Sequence, residues 1–362
     1  MALDSATESL LTQIYGQVPE VLSQGLQELF NSTDGATGAV DDAPRQPELW
    51  NQRDVVLITY ADQVRAEGVS PLEAQRQFLL DHSLDQLIQC VHLLPFCPYT
   101  SDDGFSVVDY LAVDPDCGTW DDIERLGQSF DLMYDLVLNH ASQKHEWFQG
   151  YLRGEPEYAD FFIDQDPKVD LTAVIRPRSL PLLTPFESSS GTRNIWTTFS
   201  DDQVDLNYAN PRVMLAMLQT LVEYARRGAR IIRLDAIAFL WKEVGTNCLH
   251  LPQTHAAGML MRHELDSVVP GTLVLTETNV PHSEYISYFG NGHDEAHMVY
   301  QFSLPPLLLD AIHSRDTSVI RDWMSTLKPT SYEETFFNFT ASHDGVGMRP
   351  IEGIVTESRV AS

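Results

Sequence analysis

The 362-residue sequence predicts an α/β chain, folded as a (β/α)8 TIM-type barrel, on three observations. Apolar, β-rich runs recur at 130–140 (FDLMYDLVLNH), 229–239 (ARIIRLDAIAF), 272–278 (TLVLTET) and 335–344 (TFFNFTASHD), with helix-length segments between them. Each run ends in acids, amides or imidazoles: Asp135, Asn139 and His140; Arg233 and Asp235; Glu277; His343 and Asp344. Such side chains at the C-terminal ends of successive parallel strands are the layout of a barrel active site. An apolar content of 43% is ample for a large buried core.

The run 229–239 organises the others. Burying Ile231, Ile232 and Leu234 inside a sheet puts Arg233 and Asp235 where the strand emerges into a pocket. An ionised carboxylate there is expensive unless it is paired or used. A lone Arg-x-Asp is ordinarily a structural ion pair; three further strands ending in similar chemistry turn the reading towards a shared site.

In chain order, the apolar spacing of Leu10, Leu11, Ile14, Tyr15 and Val18, then Val21, Leu22, Leu26 and Leu29, predicts a helical hairpin over 7–31, packed outside the barrel. Residues 31–47, rich in Ser, Thr, Gly, Asp and Pro, read as a linker. The first strand covers 55–60, followed by a helix with Ser70 as N-cap and Pro71 in its first turn. The second strand, 90–96, runs into a loop at 99–105 whose Asp102 suits a sugar hydroxyl and whose Asp103 suits ordinary turn chemistry. The third strand ends at His140, and 141–208 is longer than an ordinary connection. It carries prolines, aromatics and the basic run 175–178, and is expected to form an inserted lid. A helix capped by Asn210 and Pro211 and closed by Gly228 should bury Met214, Met217, Leu218, Leu221, Val222 and Tyr224. A sixth strand is expected at 296–302, with a helix starting at 304–310, and the seventh strand ends at Asp344 with no eighth visible. The domain expectation is a helical extension and linker at 1–47, barrel at 48–140, lid at 141–208 and barrel again at 209–362.

Charge and cysteine usage narrow the function classes. Acidic residues number 52 against 23 basic, a balance of −29, which opposes binding to nucleic acid or an anionic membrane. An anionic substrate would therefore be met by a few local arginines. Cys90, Cys97, Cys117 and Cys248 lack C-x-x-C spacing, so neither a zinc cage nor a disulfide scaffold is indicated, and buried thiols are expected. Residues 1–11 show no signal-peptide pattern and no run reaches membrane-spanning length, giving an expectation of a cytoplasmic protein.

Four strand-end motifs, DLVLNH (135–140), RLDA (233–236), LTE (275–277) and ASHD (341–344), resemble the signature regions of the α-amylase superfamily of glycoside hydrolases. LITYAD (57–62), HLLPF (92–96), RPR (176–178), QVD (203–205), KEVGT (242–246), LPPLLL (304–309) and HDGVG (343–347) resemble its sucrose phosphorylase group. The resemblance runs from about residue 55 to the end. It implies a retaining enzyme of the hexosyltransferase type that breaks an α-glucoside with inorganic phosphate to give α-glucose 1-phosphate. Retention needs two carboxyl groups about 5 to 5.5 Å apart, one nucleophile and one proton donor. By the resemblance Asp235 is the nucleophile, forming a covalent glucosyl ester, and Glu277 is the acid and base. Asp344 binds the sugar hydroxyls next to the reacting carbon. Asp102, Phe105, His140, Arg233 and His343 bind substrate or hold its partners, with Asp102 gripping and Phe105 stacking the ring. Arg178 meets phosphate, with Arg176 and Arg349 as candidates for an acceptor carboxylate.

No metal or other cofactor is implied, Asn139 being read as a loop-fastening amide and Asp135 as a partner of loop amides or Arg233. The expected partners are a small sugar and inorganic phosphate, with a homodimer possible. Ile175 stands where sucrose phosphorylases usually carry an aromatic. The loop 98–110, the N-terminal helices and RPIE (349–352) look closer to relatives that phosphorolyse glucosylglycerate or glucosylglycerol, with glucosylglycerate favoured. Two other readings stay open: a retaining α-glucosidase or transglucosidase, and an inactive sugar-binding fragment. The latter arises because relatives continue through an eighth strand and a C-terminal β domain, so that this chain is expected to be truncated.

Overall fold

Seven parallel strands form one sheet in the computed structural model, which describes residues 3–31, 49–328, 331–356 and 359. The segment read as a linker, 31–47, lies outside the described residues apart from Asn31. Helices α1 (Ser5–Tyr15) and α2 (Glu20–Asn31) precede β1 (Val56–Thr59), α3 (Pro71–Asp81), β2 (Cys90–Leu93), α4 (Trp120–Gly127) and β3 (Asp131–Val137). Then come β4 (His140–Ser142), α5 (Glu146–Arg153), the hairpin β5 (Leu183–Ser188) and β6 (Gly191–Trp196), and β7 (Gln203–Asp205). Helix α6 (Pro211–Arg226) leads into β8 (Ala229–Asp235), α7 (Pro252–Val268), β9 (Leu273–Thr276) and the short α8 (His282–Tyr285). The described chain continues with β10 (Met298–Tyr300), α9 (Leu304–Ser314), α10 (Ser318–Thr326) and β11 (Thr335–Phe337).

The main sheet has the order β1-β2-β3-β8-β9-β10-β11. This is a (β/α)8 TIM-type fold followed through seven strands. Its longest strands, β3 and β8, lie side by side at its centre, and nearly every residue of both is buried. Strands covered on both faces read as near-continuous apolar runs, which is why they stand out in the sequence. Their register pairs Asp135 with Arg233 and Val137 with Asp235, so the two charged strand ends emerge together.

Local chemistry explains the helices around the sheet. The Ser70 hydroxyl caps α3 by accepting from the Glu73 amide, and the Asn210 side chain caps α6 by accepting from the Arg212 amide. Met214, Met217, Leu218, Leu221, Val222 and Tyr224 of α6 are all buried, as the spacing requires. Gly228 turns the chain into β8 at φ 91°, a left-handed conformation that favours glycine.

Three expectations need correction. His140 does not end a barrel strand: β3 stops at Val137, and His140 opens β4, which pairs antiparallel with β7 opposite Asp205. Strand β11 likewise ends at Phe337, so His343 and Asp344 stand on the loop beyond it. In the hairpin, Leu11, Ile14, Leu22, Leu26 and Leu29 are buried, but Val18 and Val21 face solvent because Gly16 ends α1 and breaks the register.

Helix α1 packs on α7 and α2 on α6. The first contact carries a buried polar pair, with the Thr7 hydroxyl donating to Glu264 Oε1 over 2.8 Å. Glu264 is fully buried and its other oxygen has no partner, so Thr7 is its main support. Thr7→Val keeps the shape and removes the donor, and should lower stability by about 1–3 kcal/mol in urea denaturation. An unchanged midpoint would show that this contact does not hold the hairpin down.

Candidate active site

At the centre of the sheet a guanidinium sits almost fully buried. Arg233 donates through Nη1 to Asp135 and, over 2.7 Å, to Asp235 Oδ1. The far oxygen of Asp135 lies 2.7 Å from His92 Nε2. Burial opposes ionisation of Asp135, but His92 and Arg233 outweigh it and hold the carboxyl down at about 2. Phe105 and Tyr300 place their rings 5.6 and 5.7 Å from the guanidinium carbon. Buried charge is tolerated here because every partner is close and correctly signed.

Asp235 and Glu277 meet at the end of β8. Ala236 adopts φ 52°, unusual for a residue with a Cβ, and its amide donates to Glu277 Oε2 over 3.1 Å. Glu277 is partly accessible, yet its carboxyl end is enclosed by protein. Burial, then the charges of Asp235 and Asp344, push Glu277 up to about 7, with Arg233 and the Ala236 amide only partly opposing them. For Asp235 burial also raises the proton affinity, while Arg233 and His140 oppose it. The direct ion pair with Arg233 selects the ionised form of Asp235, and no comparable pair exists for Glu277 among the described residues.

Residues of the loops and of the 141–208 segment pack around this centre. His140 lies 2.9 Å from the Phe105 carbonyl, which selects the Nε2–H tautomer, and accepts at Nδ1 from the Asn139 amide. Burial lowers its proton affinity and favours the neutral ring. The Phe105 ring stacks on His343 at 5.2 Å and 9°, so it is largely covered. Asp102 accepts from Gln203 Nε2 at 2.9 Å and from Arg178 Nη2, which lies 3.2 and 3.3 Å from its two oxygens. Gly104 fits between them at φ 110°, where an added Cβ would fall 2.8 Å from the Pro95 carbonyl oxygen. Asp344 is more than half exposed, 3.4 Å from His343 Nε2.

The structure thus draws together Asp235, Glu277, Arg233, His140, Phe105, Asp102, Arg178, His343 and Asp344. Arg176 stays apart, donating to the Leu180 carbonyl within the lid. Arg349 opens a short 3₁₀ turn, Arg349–Ile351, after the Asp344 loop. Sequence reading assigned no role to His92, Gln203, Lys242, Asp205 or Tyr300, although all but Tyr300 lie inside the quoted motifs. Lys242 is the clearest omission. Its buried ammonium is 2.7 Å from Asp205 Oδ2 and donates to Asn139 Oδ1 over 2.6 Å, fastening the strand ends from β4, β7 and the segment after β8. No group of three or more His, Cys, Asp or Glu among the described residues could hold a metal ion.

Comparison with known proteins agrees with this layout. The family model for the alpha amylase catalytic domain matches residues 84–348. The chain belongs to the alpha-amylase family. Among curated members, glucosylglycerate phosphorylase of Allomeiothermus silvanus is 53% identical over 320 residues, covering 88% of this chain and 58% of the relative. Glucosylglycerate phosphorylase of Escherichia coli is 49% identical over 351 residues, covering 97% of this chain and 62% of the relative. The chain therefore spans about three fifths of the length of these relatives. The solved structure of sucrose 6F-phosphate phosphorylase from Thermoanaerobacter thermosaccharolyticum superposes with a TM-score of 0.76 at 24% identity, over 86% of this chain and 64% of that one. It shares the fold. Among the described residues no helix is long and apolar enough to cross a membrane.

Removing the Lys242 ammonium would leave the wholly buried Asp205 carboxylate without its counter-charge, held by the neutral donors Thr198 and Asn139 alone. Lys242→Met, similar in volume, should destabilise the fold by about 3–5 kcal/mol. A thermal melt superimposable on the wild type would mean that Asp205 finds other support.

Proposed function

We propose that the chain carries the catalytic core of a retaining α-glucoside phosphorylase, which transfers glucose from glucosylglycerate to inorganic phosphate. One observation carries the chemistry: two neighbouring carboxyl groups have different surroundings, Asp235 ion-paired with an arginine and Glu277 buried beside other acids. Such a separation assigns acid and nucleophile. The choice among donors rests on the two glucosylglycerate phosphorylases at 53% and 49% identity.

In this reading Asp235 attacks the anomeric carbon from the face opposite the leaving group. Glu277 gives its proton to the departing glycosidic oxygen, leaving a glucosyl ester on Asp235. Phosphate then enters, Glu277 takes a proton from it, and a phosphate oxygen displaces Asp235 with a second inversion, so α-configuration returns. Asp344 accepts hydrogen bonds from ring hydroxyls as positive charge develops, neutral His343 donates to another, and His140, whose one N–H is held by the Phe105 carbonyl, lines the sugar side of the pocket. Asp102 binds the distal hydroxyls once Arg178 leaves it. The freed guanidinium of Arg178 then meets phosphate, for which its planar fork is suited.

Phosphate dependence tests the reaction class. Glucosylglycerate should be consumed with phosphate to give α-glucose 1-phosphate, and consumption at the same rate without phosphate would replace this reading by a hydrolase or transglucosidase. Asp235→Asn should abolish turnover with the fold retained. Glu277→Gln should cost about a hundredfold to ten-thousandfold in kcat.

The raised Glu277 also predicts a pH profile. The acid is needed protonated, so kcat/KM for the glucoside should fall as pH rises through about 7, and Glu277→Gln should lose that limb. Stability should mirror this. A carboxyl whose folded pKa is raised contributes stability at low pH that is lost as pH rises through the folded pKa. Glu277→Gln should therefore gain on the wild type between pH 5 and 8 in thermal melts, and a constant difference would contradict the assignment.

A further inference from the structure

In so acidic a chain, arginines find carboxylates or carbonyls readily, and Arg349 is an exception. It is partly buried, yet its guanidinium makes no hydrogen bond, ion pair or ring contact with any described residue. Every other arginine among the described residues that is not exposed has a partner.

Its base is nonetheless firmly set. The Ser303 hydroxyl donates to the Pro350 carbonyl over 2.8 Å, and Ile351 is buried in a cluster with Leu307 and Trp323. The segment before it lies over the end of β9. An added Cβ on Gly347 would meet the Asn279 amide at 2.7 Å, and Asn279 stands two residues beyond Glu277. On that same side His250 engages both ring nitrogens, with Tyr288 Oη at 2.8 Å and Glu284 Oε2 at 3.1 Å. Glu284 is thus occupied by the imidazole, and no ion pair joins it to Arg349. Burial, then His255 and Arg349, lower the proton affinity of His250 against the pull of Glu284, so the Arg349 charge lies within electrostatic reach of this cluster. The sugar-facing groups Asp102, His140 and His343 belong to the loops after β2, β3 and β11. The Asn279 and His250 side lies past Glu277, where the group leaving with the protonated oxygen must sit.

We propose that Arg349 binds the carboxylate of the leaving group and returning acceptor, so that the site selects a short hydroxy acid such as glycerate over the neutral polyol of the same length. This rests on the phosphorylase reading above. A charge-assisted, two-pronged contact to a carboxylate suits an arginine held ready without a competing acid.

The test uses the reverse reaction, phosphate release from α-glucose 1-phosphate with glycerate or glycerol as acceptor. Arg349→Ala should lower the ratio of kcat/KM for glycerate to that for glycerol about tenfold to a hundredfold, the range for losing a charged hydrogen-bond partner. The loss should appear in KM for glycerate, and Arg349→Lys should recover part of it. An unchanged ratio would overturn the proposal, as would a rise in KM for α-glucose 1-phosphate in place of glycerate, which would assign the guanidinium to phosphate. Calorimetric titration of glycerate into Glu277→Gln, with and without Arg349→Ala, gives a readout independent of turnover. Equal affinity in the two proteins would also overturn it. If the wild type frees glucose from a glucoside yet never phosphate from α-glucose 1-phosphate, the phosphorylase reading fails, and the titration still decides whether Arg349 holds a carboxylate.

Discussion

The buried guanidinium of Arg233 is the interaction on which the rest depends. A positive charge at the centre of a β-sheet is stable only if anions come with it; Asp135 is delivered by the register of β3 against β8, and Asp235 stands two residues along β8 itself. His92 from β2 completes the set by bonding the far oxygen of Asp135. Three adjacent strands are thereby tied at their C-terminal ends by charge-assisted hydrogen bonds in a low-dielectric setting. Slipping β3 by one residue relative to β8 would turn Asp135 away and leave Arg233 with Asp235 alone. The same contacts that specify the register therefore hold the Asp235 carboxylate at the strand end.

From that centre the second carboxyl group acquires its character by exclusion. Glu277 receives one backbone amide and lies near the arginine that Asp235 and Asp135 already hold. It is consequently the group that keeps its proton near neutrality. Farther out, the interactions are of another kind. Arg178 on Asp102, His343 on Phe105 and the exposed Asp344 are side chains on loops, less enclosed than the strand ends. A rigid inner layer and a more open outer one suit a pocket that must hold a reacting carbon still and exchange its partners.

The barrel class was legible because buried parallel strands leave long apolar runs, and because chemistry at their ends is confined to one face. The α6 face and the caps at Ser70 and Asn210 were legible for equally local reasons. Boundaries were not: His140 belongs to a separate antiparallel pair, and nothing in the run 130–140 marks the break after Val137. Lys242 was overlooked because a lysine at the head of the KEVGT motif reads as a solvated charge, until folding brings Asn139 and Asp205 to it from two other segments. Tyr300 was overlooked because an aromatic in an apolar strand reads as core.

What the sequence alone determined is therefore the set of strands, the order in which their ends supply acids and imidazoles, and the family resemblance that named Asp235 and Glu277. Those features follow from periodicity and from residue types at strand ends, which act over a few neighbours. The tertiary structure decided which acid has an arginine, which imidazole is neutral, that Arg176 turns back on the Leu180 carbonyl while Arg178 reaches Asp102, and that the Arg349 guanidinium has no partner among the described residues. Protonation and pairing depend on burial and on charges more than a hundred residues away along the chain. Only the closed fold brings these to within a few ångströms.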